Sequence, residues 1–508
     1  MITAAELPQE LVVPRWLSFR KAAALGELSM IEGSAIHLPA ESDFPLRFRL
    51  FQRDDKRLLG CDLLGQAFLE NRPEGVELAK SLLSREDIRP ATRALAEQIL
   101  GKNEIAVPKT VKDAIRQQRI RLREYSRDPI GWVELARNYA ACGNAEKAKR
   151  CLTTALSLAP ENRFVVRAFA RFLIHTRHFD QAYWLLKRTS IARTDSWVLA
   201  TATSVARLAG KPSPLPKRIQ ITGLDDHQIL ARSELIESFG MEELIHGKDR
   251  MARKAFRVAW QNPTPNVITH AEWVTRVALP GLRGELKVNL TDSPQAQANA
   301  AFEKVDFQET LAAIELWKFE EPYSWRPWVS ESYIHCLRED FPALELCFMN
   351  ARAIRMVHPI LLNNYTYSLV LNSGAKAAEP YMQRLRQLKN ELTEVTVTAT
   401  EGLFQIANGA VTEGKMLYKA AQSEAEKRGG TLGRSVFLYK VVSLLWYKHT
   451  VSKEDWDRIE EITRNPRGVQ EQILIEKIEK LRTAIDLDPV QTSSEVKSRS
   501  KTEADTDI

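Results

Sequence analysis

The sequence predicts an all-α protein built from stacked pairs of helices. Apolar residues recur at i, i+3, i+4 and i+7 over most of the 508 residues, which is the period of one helix face. The same pairs of apolar faces return at a nearly constant distance along the chain, as is typical of repeat proteins. Strand-like alternation is confined to one short stretch near the start. We therefore expect an array of helix pairs over most of the chain.

Residues 129–162 show the repeating unit most clearly. Apolar residues share one face of a first helix and one face of a second helix, and Gly143 and Asn144 separate the two. The small residues let the helix backbones approach closely, while the large aromatic residues fill the space around them. The predicted core of this unit consists of Trp132, Leu135, Ala136, Tyr139, Ala148, Leu152, Ala155 and Pro160.

This arrangement resembles the tetratricopeptide repeat (TPR), a helix-turn-helix unit with a 34-residue period. Counted from Pro129, the eight core residues fall on the signature positions 4, 7, 8, 11, 20, 24, 27 and 32. The next unit, residues 163–196, keeps the pattern with Val166, Phe169, Ala170, Leu173, Ala182 and Leu186. The resemblance implies an α-solenoid, a superhelix of stacked helix pairs.

The same phase persists far from these two units. Further units start at 233, 291, 325 and 359, and another starts near 395. Their signature positions carry, among others, Gly240, Phe256, Trp317, Trp328, Phe348, Tyr365, Met382, Gly402 and Tyr418. We expect helical repeats over residues 59–209, degenerate repeats over 224–290 and a C-terminal TPR-like array over 291–485.

Four segments do not fit the repeat. Residues 1–58 form a non-repeat segment, in which "FPLRFRLF" (44–51) alternates as a strand would and predicts a β-hairpin cap. Three prolines within 210–223 end any helix there and predict a hinge. Residues 279–294 are a second interruption. The tail 486–508 is polar and charged with almost nothing to bury, so we expect it to be disordered.

Composition favours a soluble cytoplasmic protein. Charged residues make up 27% and hydrophobic residues 44%, and the net charge of +7 is a mild bias that permits an acidic partner. The five cysteines include no CxxC pair, so reduced thiols are expected. The chain start shows no signal-peptide pattern, and no apolar run reaches the roughly 20 residues that cross a bilayer.

Catalytic signatures are absent from the sequence, so we expect neither an enzyme nor a cofactor site. There is no phosphate-binding GxxxxGK[ST] loop, no GxSxG, no HExxH and no zinc-type Cys/His spacing. His175 and His178 form an HxxH on a turn, and two ligands do not complete a metal site. His335 and Cys336 are adjacent on a helix and therefore point apart, which does not suit a catalytic dyad.

The resemblance also predicts which residues meet a partner. In TPR proteins, first-helix positions 2, 5, 9, 12 and 13 face the concave groove, and here they include Arg137, Phe164, Arg167 and Arg171. Arginine binds carboxylates bidentately, so the groove suits an acidic peptide with an apolar anchor. Chaperone-binding TPR proteins carry Lys and Asn where this chain has Val133 and Arg137, which disfavours that partner. Tyr323 and Trp325, in an aromatic-rich turn, are further candidates.

We therefore expect a non-catalytic interaction scaffold or regulatory subunit that works in a hetero-complex, as bacterial TPR adaptors do in multi-protein assemblies. Replacing Arg167 and Arg171 by alanine should then preserve the fold and weaken partner binding. The alternative is a nucleic-acid-binding repeat protein. It would use the basic helix 111–127, whose Arg116, Arg119, Arg123 and Arg127 share one face while Val111, Ile115, Leu122 and Tyr125 share the buried one.

Overall fold

The protein is helical throughout the part of the chain that this computed structural model describes. The described residues are 16, 48–49, 51–53, 60, 63–64, 67, 72–88, 90–100, 110–124, 126–216, 219, 223–224, 226–354, 357–391, 393–428 and 432–486. None of them lies in a β-strand. The predicted all-α helical-repeat class is confirmed at this level.

Two compact units make up the chain. The first contains the described residues between 7 and 297 together with Glu315–Ser324, and the second contains Ala298–Ile314 and the described residues from Trp325 onward. The helices up to residue 273 are α1 Glu74–Leu83, α2 Pro90–Ile99, α3 Val111–Glu124, α4 Pro129–Ala141, α5 Ala145–Leu158, α6 Arg163–His175, α7 Phe179–Arg188, α8 Ser196–Leu208, α9 Asp226–Ile245, α10 Asp249–Ala259 and α11 Pro265–Trp273.

The remaining helices follow in the same alternating order. They are α12 Pro294–Glu303, α13 Phe307–Glu320, α14 Arg326–Leu337, α15 Phe341–Ala353, α16 Pro359–Ser373, α17 Ala375–Leu388, α18 Glu394–Ala407, α19 Val411–Arg428, α20 Leu432–Trp446, α21 Lys453–Arg464 and α22 Val469–Asp486. Each predicted repeat from 129, 163, 233, 291, 325, 359 and 395 corresponds to one helix pair. The repeat starts predicted from the sequence therefore identify the correct pairs of helices.

The turn between the paired helices repeats in backbone detail. The residue at position 15 of a unit has a positive φ in Gly143 (66°), Gly247 (71°) and Gly409 (84°). The same left-handed geometry occurs at non-glycine residues in Arg177 (62°) and Val305 (61°). Glu339 and Lys448 share it. A left-handed residue after a helix lets the next two N–H groups bond back to the last free carbonyls.

Those hydrogen bonds are present in the units that start at 129, 163, 233, 291, 325 and 395, whereas in the unit that starts at 359 Gly374 N bonds the Val370 carbonyl instead. Gly143 N donates to the Ala140 carbonyl and Asn144 N to the Tyr139 carbonyl, both at 2.9 Å. Val305 N donates to the Phe302 carbonyl at 2.9 Å. The following helix then starts with a side-chain cap in several units: Asn144 accepts from Lys147 N, for example, at 3.3 Å. In these units, the same hydrogen-bond pattern in the turn therefore ends the first helix and begins the second.

Hydrogen bonds between side chains of successive units confirm the period. Arg167 bonds Thr201, which is 34 residues away. In the second compact unit, Asn364 of the repeat that starts at 359 bonds Ser332 of the repeat that starts at 325, which is 32 residues away. Because equivalent positions of neighbouring repeats lie side by side, a spacing close to 34 is what stacked repeats produce.

The predicted interruptions fall where regular helix pairs stop. Residues 211–216, which contain the prolines of the predicted hinge, are irregular, while 217–218 and 220–222 lie outside the described residues. Hinge motion there stays a prediction. The second interruption holds short 3-10 helices, Pro280–Glu285 and Leu290–Asp292.

The predicted strand at 44–51 is wrong where the structure describes it. Phe48, Arg49 and Phe51 are helical, and Phe51 is buried against Leu63, Leu64 and other apolar side chains. The alternating pattern was misleading because the aromatic residues at i and i+3 also share a helix face. The rest of the stretch, the proposed hairpin partner and the tail 487–508 lie outside the described residues.

The left-handed turn predicts a stabilising substitution. Val305 is β-branched and exposed, yet it has a φ of 61°. Such a residue pays a steric cost that glycine avoids, so Val305→Gly should raise the free energy of unfolding by about 1 kcal/mol. Urea denaturation measures this. The matched control, Val76→Gly in α1, should lower stability by about 0.5–1 kcal/mol. A loss of stability in Val305→Gly would contradict the assignment of the turn.

Candidate partner-binding site

The arginines expected to face an open groove lie inside the protein. Arg167 is 0% exposed, Arg171 1% and Phe164 1%, all on α6. The helix is buried over nearly its whole length, from Arg163 to Ile174. The prediction that Phe164, Arg167 and Arg171 project into solvent is therefore wrong, because other parts of the first unit cover this face.

Carboxylates from later repeats neutralise the buried charges. Arg163 Nη2 lies 2.5 Å from Asp195 Oδ2, and Arg167 Nη2 lies 2.5 Å from Glu234 Oε2. Both guanidiniums also lie over the ring of Trp197, at 5.2 and 5.0 Å from its centroid. A buried guanidinium is tolerated only when it is paired and hydrogen-bonded in this way.

Glu234 is the centre of the deeper network. Its second oxygen, Oε1, accepts from Thr264 Oγ1 at 3.1 Å and from Asn266 Nδ2 at 2.8 Å. The side chains of three repeats thus share one carboxylate. The Arg167 charge is therefore balanced within the protein.

Trp16 occupies the neighbouring part of the same face. Its side chain is 0% exposed although it belongs to the non-repeat N-terminal segment. The Trp16 ring packs against Phe172 of α6, with centroids 6.0 Å apart at 76°, and against Tyr323, with centroids 5.2 Å apart. The ring of His175 also packs against Tyr323, with ring centroids 4.7 Å apart. These aromatic residues form a pocket for the indole.

Two side chains hold the main chain of Trp16. Its N–H donates to Tyr323 Oη at 2.7 Å, and its carbonyl accepts from Arg137 Nε at 3.3 Å. Arg137 Nη2 also donates to the Glu320 carbonyl at 2.6 Å, which fixes the guanidinium. We call Arg137, Phe172, His175 and Tyr323 the Trp16 site. This site contacts one residue through its main-chain N–H, its carbonyl and its ring.

Two of the predicted partner-binding residues, Arg137 and Tyr323, meet in this site. Trp325 does not belong to it: its ring stacks on His358 at 3.7 Å in the second unit. Phe172, His175 and Trp16 itself were missed as site residues. The one available signal was a lone tryptophan in "VVPRWLSFR" (12–20), outside any repeat. Periodicity cannot say where such a residue packs.

The predicted repeat core of residues 129–162 is buried in most places. Ala136, Ala148, Leu152 and Ala155 are fully buried and Leu135 is nearly so. Trp132 and Tyr139 are only half-buried, and Pro160 is exposed in the turn after α5. Trp132 Nε1 donates to the Ser126 carbonyl at 2.8 Å. Both aromatic residues line an open groove.

The residues weighed for chemistry are engaged in packing. Burial raises the pKa of Cys336 to about 12 and that of Cys151 to about 11, so both thiols are neutral at physiological pH. His178 Nδ1 lies 3.0 Å from Thr176 Oγ1, whereas His175 packs on Tyr323. Among the described residues, no three His, Cys, Asp or Glu side chains are grouped to hold a metal ion.

The basic helix α3 has a partly different inner face from the one predicted. Leu122 is buried, Ile115 is half-buried and Val111 is exposed, while Tyr125 lies outside the described residues. Val111 is exposed because it opens the helix, where no later turn covers it.

In the described part of the chain, no helix combines the length and apolar character needed to cross a membrane.

Comparison with known proteins gives no assignment. No protein-family model matches the chain, and the search of curated proteins found no significant match. The site's geometry is therefore the basis for the functional proposals.

The buried ion pair reverses the expected outcome of the arginine substitutions. Arg167→Ala leaves Glu234 charged in the interior, which should lower the free energy of unfolding by about 3–5 kcal/mol. Urea denaturation followed by circular dichroism measures the loss. Arg193→Ala, at an exposed arginine of the same unit, should change stability by less than about 0.5 kcal/mol. Equal, small effects of the two substitutions would mean that Arg167 is solvated.

Proposed function

We propose that the protein is a non-catalytic interaction scaffold or regulatory subunit of the TPR class, which binds an extended segment of a partner protein at the Trp16 site. One observation carries the proposal: Tyr323, in the turn after α13, and Arg137 of α4 bind the backbone N–H and carbonyl of Trp16, and aromatic side chains pack on its ring. A peptide from another protein presents the same three groups.

The chemistry of the site suits peptide recognition. The bonds from Arg137 and Tyr323 are made to main-chain atoms, so they are available to any residue in that position. The aromatic walls supply side-chain selectivity, because a buried aromatic anchor commonly dominates the affinity of an interface. In this proposal Trp16 is an internal stand-in for one residue of the partner segment.

Trp16 leaves one of its hydrogen-bonding groups without a partner among the described residues. Its indole Nε1 is buried and has no hydrogen-bond acceptor among the described residues. An unpaired buried donor costs about 1–3 kcal/mol, so the internal occupant binds less tightly than the pocket permits. Phenylalanine at the same place carries no such donor. A partner with a phenylalanine anchor would therefore compete effectively with Trp16.

The partner expected here has an apolar aromatic anchor, and acidity is not required. Asp195 and Glu234 already neutralise Arg163 and Arg167. The proposal locates the protein in the cytoplasm, in a hetero-complex, and the free thiols of Cys142, Cys151, Cys336 and Cys347 support that compartment.

A labelled peptide added in trans tests the proposal. The probe carries residues 9–24, QELVVPRWLSFRKAAA, with an N-terminal fluorophore. Full-length Trp16→Ala protein should bind it saturably by fluorescence anisotropy. Wild-type protein should bind at least about tenfold more weakly, because a tethered segment has a millimolar effective concentration. Equal binding by the two proteins would show that Trp16 does not occupy the probe's site.

Two controls separate the site from non-specific binding. Adding Arg137→Ala to the Trp16→Ala protein should weaken binding of the probe, because the carbonyl loses its donor. A probe with phenylalanine in place of Trp16 should bind at least as tightly as the original, and a probe with alanine there should bind weakly. If all three probes bind alike, the aromatic pocket does not select the anchor and the proposed mode is wrong.

A further inference from the structure

A second open site lies on the helices that precede α6. Residues of α3, α4 and α5 line a groove that encloses a cavity of about 370 Å³. Arg119 and Arg123, one helical turn apart on α3, border it, as do Lys147 and Arg150 on α5. All four are exposed. Among the described residues, no Asp or Glu lines the cavity.

These cations have no anionic partners. None of Arg119, Arg123, Lys147 and Arg150 has a carboxylate within ion-pair distance among the described residues, whereas Arg121 on the same helix pairs with Asp128 at 3.2 Å. Residues 111–158 contain ten Lys and Arg against five Asp and Glu, a net charge of +5 in a chain whose total is +7. The chain's positive charge is therefore concentrated around this groove, which attracts an anionic ligand.

The floor of the groove is apolar. Leu122, Leu135 and the buried side chain of Cys151 form it, together with the half-buried rings of Trp132 and Tyr139. Trp317, at a signature position of its own repeat, is 1% exposed, so partial exposure of Trp132 is not general for the signature positions. An apolar floor of this size accommodates one or two side chains of a ligand.

The floor favours an apolar side chain over a nucleobase. Lys147 Nζ already lies over the Tyr139 ring, 5.5 Å from its centroid, and so occupies a stacking position. The lining offers no amide and no carboxylate to pair with the polar edge of a base, and burying such an edge unpaired is costly. A leucine or phenylalanine side chain carries no such edge.

We propose that this basic groove binds an acidic peptide segment of a partner protein, with carboxylates on the four cations and one apolar side chain on the floor. Guanidinium groups bind carboxylates bidentately, and the apolar anchor gives the contact its position along the groove. The site is distinct from the Trp16 site in residues and in charge. Its occupancy therefore does not depend on whether Trp16 leaves its pocket.

A peptide array with full-length protein tests the groove. Each dodecapeptide has fixed Asp/Glu flanks and two central positions that vary through all apolar residues. At least one member should bind, and its dissociation constant is then measured by fluorescence anisotropy. Arg119→Glu combined with Arg123→Glu should weaken that binding by at least about tenfold, since like charges then face each other. Failure of the whole array to bind overturns the proposal.

Matched variants and probes identify the ligand class. Arg283→Glu with Lys287→Glu makes the same charge change at exposed residues elsewhere in the first unit and should leave affinity within about twofold. Arg137→Ala should also leave it unchanged, so failure at the Trp16 site and failure here are distinguishable. The oligonucleotide dT12 should bind more weakly than the peptide. Tighter binding of dT12, or equal losses in both charge variants, overturns the proposal.

Discussion

The ion pair between Arg167 and Glu234 constrains much of the first unit. It joins helices whose paired residues lie 67 positions apart in sequence, and the same carboxylate bonds Thr264 and Asn266 of the following repeat. A guanidinium out of water needs this partner, so sliding one repeat by a helical turn would leave a buried charge without compensation. The pair thus fixes the register of the stack, which apolar side chains alone specify less strictly.

The buried ion pairs also bear on where we propose that a partner binds. Because carboxylates neutralise Arg163 and Arg167, these two charges are not available to an acidic ligand. What remains there is main-chain capture and an aromatic pocket at the Trp16 site. The uncompensated cations lie on α3 and α5, beside the half-buried rings of Trp132 and Tyr139. The two proposed sites therefore differ in chemistry. The Trp16 site would bind an aromatic residue and its backbone, whereas the basic groove would bind acidic side chains.

Local signals predicted the helix pairs well. The spacing of small and apolar residues depends on one helix packing on the next, so the units at 129, 163, 325 and 359 could be located from sequence alone. The left-handed turn was visible where position 15 is glycine, as in Gly143 and Gly247. It was hidden at Arg177 and Val305, where the repeat geometry imposes a backbone conformation that the residue itself does not favour.

The candidate site was only partly predictable because its contacts are non-local. Arg137 is 121 residues from Trp16, and Tyr323 is 307 residues from it. No periodic pattern encodes such a contact. Position in the repeat selected Arg137 as a candidate, but it could not show that Glu234 would neutralise Arg167. Nor could it show that Trp132, a signature residue, would stay half-buried.

The backbone N–H of Trp16 offers the most direct test. In full-length protein labelled with ¹⁵N-tryptophan, the 11 backbone signals can be resolved and Trp16 assigned by its loss in Trp16→Phe. A bond to Tyr323 inside a closed pocket should slow exchange of this proton with solvent by at least about 100-fold relative to an unstructured peptide. Exchange at the unstructured rate would contradict the account, because Trp16 would then not occupy the pocket.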